Sequence, residues 1–175
     1  LLGGARVRTA AVPRRLVYLV DGSASIDPAQ RAWFARRIAS LERLRPPQME
    51  RAVAVFGADT RLAAPVSREP LDQPEAVARA LERAAVTRTA TNLETALLSV
   101  PSLLGSATSS AGLPAAPGAS QAGRTAVILL SDGRETTGSA AGVLAAVRRL
   151  GIGLFPVPPP TFGKAAAVWN QLAVP

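Results

Sequence analysis

Arg15 to Ser25 reads RLVYLVDGSAS, an apolar run that ends abruptly in a carboxylate and two hydroxyls. Leu16 to Val20 shows no polar alternation, is rich in β-branched and aromatic side chains and is too short for a helix. It therefore predicts a strand buried on both faces. Asp21, Ser23 and Ser25 fall at the C-terminal end of that strand, which in open α/β sheets is where ligands bind. A carboxylate and two hydroxyls spaced two apart on one turn can face a common point, and hard oxygen donors of this kind suit Mg2+ or Mn2+. Taken alone, D-x-S-x-S is a weak pattern, because Asp, Gly and Ser after a strand are also ordinary turn residues.

Downstream, Asp27-Pro28-Ala29-Gln30 is a strong helix start, with an Asp N-cap, Pro at the first helical position and Gln at N3. The helix should run from Pro28 to about Leu44, with Phe34, Ile38 and Leu41 inward and Arg36, Arg37 and Arg43 outward, until Pro46-Pro47 stops it. Ala52 to Gly57 predicts a second buried strand, and Asp59-Thr60 a turn into Arg61 to Val66. Alternation and the internal Pro65 make that segment an edge strand. Pro74 to Ala85 predicts a short helix with Val77 and Leu81 inward. Leu93, Ala96, Leu97, Val100 and Leu104 mark another, which Pro101 either kinks or ends. Thr125 to Ser131 is a third buried strand, Ala140 to Leu150 a helix with Val143, Leu144 and Val147 inward, and Gly153 to Val157 a short strand before Pro158-Pro159-Pro160. Strands that alternate with helices predict an α/β fold, a doubly wound, mostly parallel sheet with helices on both faces.

Two further segments extend the first pattern. Thr91 precedes the Leu93 helix, and Asp132 closes the apolar run VILLSD. Together Asp21, Ser23, Ser25, Thr91 and Asp132 resemble the complete metal-ion-dependent adhesion site (MIDAS) of the von Willebrand factor A (vWA) family. Thr91 follows Asp21 by 70 residues and Asp132 follows Thr91 by 41, and the resemblance covers most of the chain, roughly residues 13–157. It implies a vWA or Rossmann-like sheet with one antiparallel edge strand. It also implies that the hydroxyls of Ser23, Ser25 and Thr91 bind the metal directly, while Asp21 and Asp132 act mostly through water or through hydrogen bonds to those hydroxyls.

Domain boundaries follow from composition. Residues 14–157 form the expected domain, 1–13 an N-terminal extension and 158–175 a C-terminal segment that either completes the sheet or leads to a further domain. Residues 105–123 are almost entirely Gly, Ala, Ser and Pro, too poor in large apolar groups to build a core, and predict a flexible insertion. The resemblance to membrane-associated bacterial vWA proteins implies a spanning helix before the first strand, with Leu1 to Arg6 as its tail, and a place in the cell envelope.

Charge and composition exclude a good deal. The net charge is +8, yet nineteen of the twenty basic residues are Arg, in scattered pairs, and aromatics are only 4%. Nucleic-acid surfaces usually cluster basic residues and interleave aromatics, so no nucleic acid is expected; Arg with abundant Ala and Pro looks like the bias of a GC-rich genome. A basic rim favours an acidic partner. The chain has no Cys and no His, which removes disulfides, thiolate and imidazole ligands and His-based triads. No apolar run approaches the roughly 20 residues of a spanning helix, so the chain should be soluble.

The function that the resemblance implies is metal-dependent binding of a protein partner that presents Asp or Glu to Mg2+ or Mn2+. A scaffold module with an unimportant metal site is the alternative. A metal-dependent hydrolase is the rival class, but it needs a base, and Glu135 is the nearest carboxylate beyond the five residues. The Asp21 loop lacks the second Asp of D-x-D phosphatases, and no phosphate-binding Gly loop follows a strand. No enzyme is expected.

Overall fold

The computed structural model of the chain describes residues 13–105, 125–134 and 139–160. Nine elements follow in the order β1 (Arg15–Asp21), α1 (Pro28–Glu42), β2 (Glu50–Phe56), β3 (Thr60–Ser67), α2 (Pro74–Arg83), α3 (Leu93–Gly105), β4 (Thr125–Leu130), α4 (Ala140–Leu150) and β5 (Gly153–Val157). The sheet order is β3-β2-β1-β4-β5, so the apolar run that decided the sequence reading is its centre. β1 is parallel to β2 and β4, β4 is parallel to β5, and β3 is antiparallel to β2. The expected doubly wound α/β sheet with one antiparallel edge strand is therefore present.

Successive side chains of a strand face opposite ways, and β1 splits its run accordingly. Val17 and Leu19 join Ala54, Phe56, Leu97, Leu129 and Val143 in a core under α3 and α4. Tyr18 and Val20 join Phe34, Ile38, Val53, Val55 and Val77 in a second core under α1 and α2. Each fully buried aliphatic or aromatic side chain contributes about 1.5–3 kcal/mol of transfer free energy, which is why a run with no polar alternation belongs in the middle of a covered sheet.

The helix starts match their signals. Gln30 N–H donates to Asp27 Oδ1 at 2.8 Å and Asp27 N–H donates to Gln30 Oε1 at 3.0 Å, a complete capping box. Ser139 caps α4, accepting from Gly142 N–H, and Gly151 ends it in the left-handed region at φ 59°. The ends and register of some elements add detail to the expectation. α1 stops at Glu42, leaving Leu44 81% exposed, and Glu42 itself is buried. α3 runs through Pro101 to Gly105, so of the two expected outcomes the proline does not end it. In β3, Val53 pairs with Ala64 and Arg51 with Ser67, so Pro65 and Val66 face Ala52 alone. Pro65 thus sits in a bulge, where its missing N–H removes no regular ladder bond.

Residues 1–12, most of the 105–123 insertion, Glu135, and residues 161–175 with the short segment expected near 165–172 lie outside the described residues. Among the described residues no helix is long and apolar enough to cross a membrane.

Candidate metal centre

In a doubly wound sheet the crevice forms where neighbouring connections leave in opposite directions. Here that point lies between β1, whose chain departs toward β2, and β4 on its other side. Val20 pairs with Leu130, so Asp21 and Ser131 come next to one another at the strand ends.

Asp21 is 1% exposed, and both of its oxygens are engaged. Ser23 N–H donates to Oδ1 at 2.9 Å, and the Ser131 hydroxyl donates to Oδ2 at 2.6 Å. Burial pushes the Asp21 carboxyl above its ordinary range; the hydrogen bonds from Ser131 and Ser23 oppose that shift, and the negative charge of Asp132 adds to it. Gly22 N–H donates to Phe56 O at 2.8 Å. A Cβ at Gly22 would stand 2.6 Å from Val55 Cγ1 and 2.9 Å from Val86 Cγ2, so the loop closes over the sheet only with glycine there. The next turn brings the Ser23 and Ser25 hydroxyl oxygens 3.0 Å apart, Ser23 buried and Ser25 exposed.

The loop before α3 is tied to this first loop. Ala24 N–H donates to Arg88 O at 3.0 Å, while Arg88 returns hydrogen bonds from Nε to Gly22 O at 3.0 Å and from Nη2 to Ser23 O at 3.3 Å. Asp59 holds its other side, accepting from Thr87 N–H at 2.7 Å, and Asn92 N–H donates to Gly57 O at 3.1 Å. Thr91 lies between these anchors, 3% exposed, directly before Asn92, whose side chain caps α3 through Thr95 N–H. In the third loop Gly133 turns at φ 76°, and Asp132 Oδ1 accepts from Arg134 N–H at 3.0 Å, with Arg134 Nε 3.8 Å from Oδ2.

Asp21 ends β1, and Ser23, Ser25, Thr91 and Asp132 lie on loops at the same edge of the sheet. Asp21, Ser23 and Ser25 share one turn, Thr91 sits on the loop laced to it, and Asp132 is close enough for its charge to bear on Asp21. Sequence reasoning missed three participants. Ser131 was expected to end β4 as a strand residue, but it leaves the ladder to reach Asp21; a hydroxyl closing an apolar run was the available signal. Arg88 and Asp59 carried no local signal, since their partners are 66 and 28 positions away.

The donor set fits a small hard cation. Adjacent ligands of an octahedral ion bound at 2.0–2.1 Å stand about 2.9 Å apart, close to the 3.0 Å between the two serine oxygens. Among the described residues no three of His, Cys, Asp and Glu gather at one point.

Three comparisons bear on the chain. No protein-family model matches it and no curated protein does. Solved structures do match. Proximal thread matrix protein 1 from the mussel byssus is 17% identical, covers 84% of this chain and 38% of its own, and superposes with a TM-score of 0.59. A von Willebrand factor type A protein from Catenulispora acidiphila is 16% identical over 84% of this chain and 33% of its own, with a TM-score of 0.58. The manganese-loaded TRAP protein of Plasmodium vivax is 20% identical over 84% and 57%, with a TM-score of 0.56. The mussel protein has also been solved with zinc in its MIDAS motif. The chain spans less than two thirds of each of these proteins. Its fold is that of the vWA-type domains.

Proposed function

We propose that this chain is a metal-dependent protein-protein interaction module, in which Asp21, Ser23, Ser25, Thr91 and Asp132 hold Mg2+ or Mn2+ and the ion takes an Asp or Glu side chain from a partner. The observation that carries the reading is the hydroxyl pair of Ser23 and Ser25, 3.0 Å apart beside a buried carboxylate. Zinc in the mussel protein and manganese in the Plasmodium one support a divalent ion on this fold.

When bound, the ion supplies an electrophile with a position open to an incoming carboxylate. The chain's own residues do the rest. Ser23 and Ser25 offer neutral donors, so little of the ion's charge is cancelled before the partner arrives. Asp21 is committed to Ser23 N–H and Ser131, which suits it to orient donors rather than to ligate directly. Asp132, held by Arg134, has the same character. Hydrogen bonds hold both Asp21 and Asp132 as orienting groups, which supports a binding role. The bacterial, membrane-associated setting rests on the sequence resemblance alone.

Isothermal titration with an acidic partner peptide, with and without EDTA, tests the reading. Binding should require the ion, and the ion should bind more tightly with the peptide present, by the same factor in both directions. Peptide binding that survives both EDTA and Ser23→Ala would reduce the site to a scaffold feature.

A further inference from the structure

A cleft of about 550 Å³ opens between α1, α2 and the first site loop, within the roughly 300–1,000 Å³ of ligand pockets. Val20 and Val55 from the sheet, Leu81 from α2 and Val86 from the loop make its walls apolar. It reaches the start of the first site loop. Asp21 and Gly22 form part of its wall, as does Arg88, whose guanidinium hydrogen-bonds the carbonyls of Gly22 and Ser23. Those acceptors are neutral carbonyl oxygens. Arg31 also lines the cleft, and its guanidinium has no hydrogen bond or ion pair among the described residues. Asp21 and Glu82 line the same cleft, so its two cations are matched by two carboxylates.

An apolar hollow whose two guanidinium groups are balanced by two carboxylates, sharing a wall with a loop suited to an acidic ligand, fits an apolar group carried beside that acid. We propose that the cleft takes a bulky aliphatic or aromatic side chain from the same partner segment whose carboxylate reaches the metal. The module then recognises an acidic residue together with a nearby apolar one. The carboxylate half of this rests on the metal-dependent reading above, and the apolar half rests on the cleft alone. An extended segment suits both, because its side chains project alternately and the two sites adjoin.

The test is an array of blocked hexapeptides in Mg2+, each with one Glu and with Leu or Ala at every other position. Leu at one or two positions should bind about tenfold tighter than Ala, the ratio that burying one aliphatic side chain supplies. Ala32→Trp and Ala85→Trp fill the cleft from exposed lining positions that the fold does not need, and both should erase the gain while leaving the all-Ala peptide unchanged. Equal binding of Leu and Ala at every position, or a gain that survives both tryptophans, overturns the proposal. In EDTA the apolar anion 8-anilinonaphthalene-1-sulfonate reads the cleft without the ion. Its fluorescence should fall in both tryptophan variants and persist in Ser23→Ala; fluorescence that ignores the tryptophans counts against the cleft. If the dye behaves as expected but peptide binding ignores EDTA and Ser23→Ala, the metal reading fails and the cleft stands as an apolar site.

Discussion

Two carboxylates are buried at opposite ends of the central strand, and they are treated differently. Glu42, near the start of β1, has a fully covered side chain. Tyr18 Oη donates to it at 2.9 Å, Arg45 Nε to both its oxygens at 2.9 and 3.1 Å, and Leu71 N–H at 3.2 Å. Arg51 Nε lies 3.8 Å away, and its Nη1 donates to Pro65 O. Arg45 also bonds the carbonyls of Met49 and Arg68, so the cluster joins α1, β2, β3 and the segment before α2. Among the described residues Asp21, at the other end, meets only neutral donors and the charge of Asp132. One negative charge is matched inside the protein by guanidinium groups; the other is left for something that arrives. The first arrangement binds elements together, and the second makes a site.

The largest effect that would break this contrast is at Glu42. Glu42→Ala leaves Arg45 and Arg51 buried without their carboxylate and should lower stability by about 3–5 kcal/mol in urea denaturation. A loss comparable to a surface substitution would show that the cluster holds nothing. Next in size is the response to the ion. Mg2+ at about a hundred times its dissociation constant should stabilise the protein by about 2.7 kcal/mol, a gain absent in Asp21→Asn and intact in Arg36→Ala on the exposed face of α1.

A smaller effect is the pH dependence. The folded state holds the Asp21 proton to higher pH than the unfolded chain does, because burial raises its carboxyl. Metal-free stability should therefore decline as pH rises from the ordinary value of 3.8 through the raised folded one, and Asp21→Asn should flatten that limb. Asp59 has the opposite sign. Thr87 N–H, and after it Arg61, hold its carboxyl below the ordinary range, so its contribution is present above 3.8 and fades as the solution is acidified below it. The smallest expected change is that of Asp59→Asn, seen as faster hydrogen exchange at Thr87, weaker ion binding and a slight fall in melting temperature at neutral pH. Unaltered exchange would mean that the second loop does not depend on this anchor.

Legibility in the sequence followed the range of the interactions. β1, β2 and β4 announced themselves because strands covered on both faces need unbroken apolar runs, and the Asp27 capping box is complete within four residues. The five site positions stood out because Asp21 and Asp132 each follow the end of such a run and Thr91 precedes a helix. Ser131 could be placed against Asp21 only once β1 and β4 were in register, and Arg88 and Asp59 only once the loops met. Glu42 was within reach. It follows Phe34 and Ile38 at intervals of four, on the face that packs on the sheet, and Tyr18 put a phenol into an otherwise aliphatic strand.

The outer strands carry a further consequence for the chain in concentrated solution. A sheet edge offers unpaired amides on which another chain can template itself, and long, flat edges invite aggregation. β3 meets this with Pro65 in its bulge and the exposed Arg61, and β5, which among the described residues pairs only with β4, carries Pro156. Each proline removes one donor that an incoming strand would need. Pro65→Thr should therefore leave the fold in place and turn a quiet edge into a sticky one, visible as faster light-scattering growth on prolonged incubation.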